Sequence, residues 1–131
     1  MKTTFTALGH FYAAVNVVGV TSKIDGGIWR RKKPHGSEKQ DVVIVSLPIG
    51  SDDNVQEGVV IVNCFCRNYE DGTPNETKLK DIAGAVIAAI ESYASATEYF
   101  GIDYITENTM QDPDNERMSY SSIRVNYYIE R

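Results

Sequence analysis

The stretch "QEGVVIVNCFCRNYEDGTPNETKLKDIAGAVIAAIE", residues Gln56–Glu91, decides the fold. Its first part, Gly58 to Arg67, is β-branched and almost continuously apolar, which predicts a sheet-centre strand, either buried on both faces or meeting a second subunit. Turn-forming residues crowd Asn68 to Thr77. Beyond them Leu79, Ile82, Ala83, Val86, Ile87, Ile90 and Tyr93 recur every three or four positions, which predicts one apolar face of a helix. Thr77 is the expected N-cap, and Asp81 lies near the positive end of the helix dipole. The small residues Ala83, Gly84, Ala85, Ala88 and Ala89 let this helix lie close to a sheet or to a neighbouring helix.

Working outward, "DVVIVSLPI" (Asp41–Ile49) is a second strong strand, joined to the first by the polar loop "GSDDNVQE" (Gly50–Glu57). "GIWRRKK" (Gly27–Lys33) reads as a short strand running out into a turn, with glycines before it and Pro34-His35-Gly36 after. Near the N-terminus Phe5, Leu8, Phe11, Tyr12, Val15 and Val18 follow helical spacing, with Thr3 or Thr4 as N-cap. At the other end Phe100, Ile102, Tyr104 and Thr106 alternate onto one side and "MQDPDNE" turns the chain. Ile123, Val125, Tyr127 and Ile129 then alternate against Ser122, Arg124, Asn126 and Tyr128. The expected architecture is α+β, in the order α-β-β-β-α-β-β, with a mainly antiparallel sheet and helices packed on one side.

At 131 residues the chain is expected to be one domain, 1–131. With 42% hydrophobic and 24% charged residues it belongs with folded globular proteins, not disordered or fibrous ones. The formal net charge of −5 repels a polyanion, so any nucleic-acid contact has to be local. The apolar run Ala83–Ile90 falls well short of the roughly 20 residues that span a bilayer, and no membrane association is expected. The N-terminal segment lacks a cleavage site and has aromatics and a histidine in its apolar part, so it reads as part of the fold.

Arg30, Arg31, Lys32 and Lys33 are the conspicuous charge block, with Trp29 beside them. Four adjacent cations suit phosphate, but successive strand side chains alternate faces, so only two point the same way. A solvated or interfacial hairpin tip is the favoured reading, and Trp29 fits a core or interface anchor. No nucleophile, base and carboxylate stand in a recognisable arrangement, and no phosphate loop is present, so no catalytic residue and no cofactor is expected. Cys64 and Cys66 lie two apart on one strand, a poor geometry for a disulfide, and with only His10 and His35 available a zinc site is disfavoured. Asp112, Asp114 and Glu116 alternate as in a calcium loop but lack its glycine and its final glutamate, so no metal is expected. Tyr120 and Tyr128, opposite the Ile123–Ile129 stripe, suit a protein interface and argue for oligomerisation.

Four phrases together carry a resemblance: "GGIWRRKKP", "SEKQDVVIVSLPI", the opening stretch from Gln56 to Glu91, and "SSIRVNYYI" near the C-terminus. Over about residues 5 to 129 the chain resembles the tail-completion or tail-terminator proteins of long-tailed bacteriophages and prophages. The resemblance implies a non-enzymatic virion protein, made in the bacterial cytoplasm and forming a ring, commonly hexameric, at the head–tail junction. Its implied partners are tail-tube and head-connector proteins, with possible passing contact with DNA in the lumen. Small head–tail connector proteins share much of this architecture, and a nucleic-acid-binding module using Arg30–Lys33 is a further alternative. In a ring, the Trp29–Lys33 segment would face acidic residues of a neighbour, such as Asp52 and Asp53.

Overall fold

The computed structural model describes residues 2–50 and 55–130. Asp52 and Asp53 lie outside the described residues. The elements are α1 (Thr4–Val15), α2 (Val18–Thr21), β1 (Ile28–Arg30), β2 (Val42–Ser46), β3 (Val55–Arg67), α3 (Glu76–Ala96), β4 (Phe100–Gln111) and β5 (Met118–Glu130). The fold is α+β, and α2 is an element absent from the expected order. One five-stranded sheet runs β1-β2-β3-β5-β4. It is mixed, which corrects the expectation of a mainly antiparallel sheet: β1 pairs parallel to β2, while β2–β3, β3–β5 and β5–β4 are antiparallel.

The parallel pair exists because residues 31–41 carry the chain back to the start of β1. There Gly26 N–H donates to Gln40 O and Gly27 N–H donates to the Asp41 carboxylate at 3.0 Å. A side chain at Gly26 would collide with that carboxylate, so the close approach requires glycine.

One face of the sheet is covered by α1 and α3, which also pack on each other. Leu8, Phe11 and Val15 of α1 and Ile82, Val86 and Ile90 of α3 are buried in the same cluster as Val60, Val62, Ile123 and Val125. Burying each such side chain contributes about 1.5–3 kcal/mol. Aromatic rings join the layers, with Phe11 edge-on to Tyr127 at 5.3 Å and to Phe100 at 5.5 Å between centroids. Phe5 and Val18, placed on the same helical face by spacing alone, are exposed at 72% and 79%. Helix α1 ends at Val15, so Val18 belongs to α2.

Helix α3 begins one turn fragment earlier than its apolar stripe suggests. Its N-cap is Asn75 and not Thr77, because the Asn75 carboxamide oxygen accepts from the Lys78 N–H at 3.1 Å. A bulge between Ile102 and Tyr104 breaks the expected alternation in β4. Ile102 packs on the core before it and Ile105 after it, while Tyr104 turns outward at 56% exposure.

Candidate interaction surface

Among the described residues, no helix packs on the opposite face of the sheet. Along β5 its side chains are Tyr120, Ser122, Arg124, Asn126 and Tyr128, all between half-buried and exposed. Antiparallel register sets them beside Phe65, Asn63, Ile61, Val59 and Glu57 of β3, in that order. Val45 of β2 lies against Ile61 on the same face. The face is therefore apolar through Val45, Ile61 and Val59, with an aromatic group at each end.

At one end Phe65 and Tyr120 sit with ring centroids 5.0 Å apart. At the other, the Tyr128 ring lies against its cross-strand partner Gly101, where any Cβ would collide with it. The side-chain oxygens of Asn63 and Asn126, between these ends, are buried and have no hydrogen-bond partner among the described residues.

The basic block does not gather on this face. Arg30 stacks over the Tyr12 ring at 4.8 Å, and Arg31 over Phe5 at 5.2 Å, so both lean onto α1. They do so side by side because Arg31 is left-handed, with φ of 68°, and this breaks strand alternation. Lys32 is exposed. Lys33 goes the other way: its ammonium sits 4.3 Å from the centre of the Phe65 ring and donates to Ser37 O at 2.9 Å. Lys33, Phe65 and Tyr120 thus form one continuous cation–aromatic run across three segments of chain. Hydropathy does not single out Phe65; its half-buried place on the open face follows from strand register with Tyr120.

Trp29 lies on β1 in register with Val43, and its indole N–H is held by Asp41 at 2.8 Å. Asp41 also accepts from the Ser37 hydroxyl at 2.6 Å and is itself buried. This carboxylate organises the whole basic corner, since it fixes Gly27, Trp29 and Ser37 together.

His10, Cys64, Cys66 and Asp112 lie away from this face or are engaged within the chain. His10 Nδ1 is 2.7 Å from the Tyr93 hydroxyl, and its ring stacks on Phe100 at 4.7 Å. Burial, with help from the charge of Lys2, lowers the pKa of this imidazole. Cys64 and Cys66 are free and buried, and burial, followed by the nearby Glu107 charge, pushes the Cys64 thiol up to about 12. Asp112 accepts from the Asp114 N–H at 2.9 Å, an ordinary turn contact. Among the described residues no group of three or more His, Cys, Asp or Glu side chains is placed to hold a metal ion. Among the same residues no helix is long and apolar enough to cross a membrane.

No family model and no curated protein sequence matches the chain. Its fold is similar to that of the type 4 fimbrial biogenesis protein PilO from Pseudomonas aeruginosa, at 12% identity and a TM-score of 0.45, over 97% of this chain and 71% of that one. It is also similar to a chain in the virion of a native gene transfer agent particle, at 11% identity and a TM-score of 0.43, over 98% of this chain and 92% of that one.

Proposed function

We propose that this chain is a non-enzymatic structural subunit of a phage or prophage particle, acting as a tail terminator or completion protein in a ring at the head–tail junction. The observation that carries the reading is the uncovered sheet face, apolar at Val45, Val59 and Ile61 and bounded by Phe65–Tyr120 and Tyr128. A helix-free face of this kind is suited to other proteins of an assembly. The phrases that resemble tail-completion proteins supply the particular assembly. Packing of His10 against Tyr93 and Phe100, and burial of Cys64, favour a structural role for the groups best suited to catalysis.

The basic corner favours protein contact over nucleic acid. Two of its four cations rest on α1 and one on the sheet face, so they present no continuous track for a phosphate backbone.

The test is location. Particles produced in the native host with an epitope-tagged chain are imaged with gold-labelled antibody, and gold is expected only where head meets tail. Separated tails should retain the label if the chain is a terminator, and separated heads if it is a connector. Particles without label, or labelled along their length, overturn the proposal.

A further inference from the structure

Strands β1 and β4 end the sheet on opposite sides, about 19 Å apart across the strand spacings. The two edges carry opposite charge, and among the described residues neither is neutralised by an ion pair. Arg30, Arg31 and Lys32 are exposed along the β1 edge. The ion pairs among the described residues join Lys23 and Lys78 to Asp81, and Arg67 and Arg117 to Glu38, leaving these three out. Beneath Arg31 lies Phe5, a large apolar ring at 72% exposure.

At the far edge a groove runs between α3 and β4. It consists of two hollows of 420 and 600 Å³ that share Ile87. Among the described residues its apolar lining includes Ile87, Ala94, Ile102 and Ile105, its acidic lining is Glu76, Glu91, Asp103 and Glu107, and Lys80 is the cation that lines it. None of these four acids enters an ion pair among the described residues. The Asp103 bulge and the inward-facing Glu107, whose carboxylate accepts from Ser121 at 2.5 Å, disfavour plain strand-on-strand addition at this edge. The groove instead offers a channel for side chains.

We infer that the β1 edge of one copy of this chain seats in the α3/β4 groove of the next, with Arg30 and Arg31 opposite Asp103 and Glu91 and with Phe5 on the apolar floor. This rests on the assembly reading above and moves the acidic partner of the basic block from Asp52 and Asp53 to the far edge of the sheet. A second copy is the occupant because the complementary surface is on this same chain. Copies with a net charge of −5 repel unless opposite edges meet. The contact joins two different surfaces, so it propagates in one direction and closes into a ring when the rotation permits.

Light scattering at low salt on Arg30→Glu, Asp103→Arg, the double variant, and an equal mixture of the two single variants tests the contact. Each single change is expected to raise the concentration needed for assembly by about tenfold or more. The double variant and the mixture should both recover, since in each every edge again meets an opposite charge. Phe5→Ala should weaken assembly similarly, and thermal melts taken at concentrations where the wild type is dissociated should lie close to the wild type for all variants, because the altered side chains are exposed. A wild-type chain that stays monomeric, single variants that assemble normally, or a failure to recover in the double variant and the mixture overturns the inference. Loss of this contact with junction labelling intact would leave the functional reading standing, and the reverse result would leave the contact standing.

Discussion

The Trp29 indole N–H points into the Asp41 carboxylate at 2.8 Å, and that carboxylate is only 1% exposed. Gly27 N–H and the Ser37 hydroxyl share it, so removing the acceptor strands several donors at once. Asp41→Ala is expected to lower stability by about 3 kcal/mol, the range for hydrogen bonds to a buried charge. Asp41→Asn, which keeps one oxygen, should lose less. Denaturant titrations give the stability, and the emission of the single tryptophan should shift red in both variants.

Tyr128 and Gly101 form a second paired device. Gly101→Ala is expected to push the ring off the strand and cost about 1–3 kcal/mol, as overpacking does. In a Tyr128→Ala background the same change should cost little. A double-mutant cycle by thermal melting reads this coupling, and additive effects would contradict the contact.

His10 makes stability pH-dependent in a definite direction. Its folded pKa is lowered from the ordinary 6.5, first by burial and then by Lys2. The unfolded chain therefore binds more protons than the folded one in the window just below 6.5, and stability rises with pH across it. The His10 contribution is complete above 6.5 and is lost as pH falls through the lowered folded value. Urea midpoints measured from pH 5 to 8 should slope upward in the wild type and flatten over that window in His10→Asn.

The thiols should be inert in the native state. Cys64 is raised to about 12 by burial and the Glu107 charge, and burial also raises Cys66, so little thiolate is present at pH 8. Mass spectrometry after iodoacetamide treatment should find the native protein unlabelled and the guanidinium-unfolded protein labelled at both positions. Rapid native labelling would disprove the packing around β3.

On the open sheet face, Ile61→Glu places a carboxylate beside its cross-strand neighbour Arg124. That pair should hold the change in monomer stability to about 1 kcal/mol or less. Association with partner proteins of the particle should weaken by about tenfold or more, because a charge then sits where apolar surface must be buried. Circular dichroism and co-sedimentation separate the two effects.

Periodicity revealed the long elements because burial on one side imposes it. The β5 stripe from Ile123 to Ile129 is buried as read, and so is the α3 stripe from Leu79 to Ile90 except for Ile87, which is half-buried at the groove beside β4. The outward placement of Tyr120 and Tyr128 follows from the same alternation. What local pattern does not encode is pairing over distance. The parallel seat of β1 depends on Asp41 reaching Gly27, fourteen residues away in sequence, and the place of Phe65 depends on Tyr120, another strand altogether. The β4 bulge reversed two expected orientations, since one extra residue shifts every later side chain to the other face. Arg31 escaped alternation through a backbone angle that its residue type does not announce.

The brevity of β1 has a last consequence. It is three residues long, it is hydrogen-bonded to β2 alone, and it is clasped by a single polar anchor instead of a packed hydrophobic stripe. Its amides should therefore exchange with solvent through a small local opening, far below the free energy that guards the thirteen-residue strands β3 and β5. The corner bearing the cations is a fringe that can lift and reseat while the rest of the barrier to unfolding stays in place.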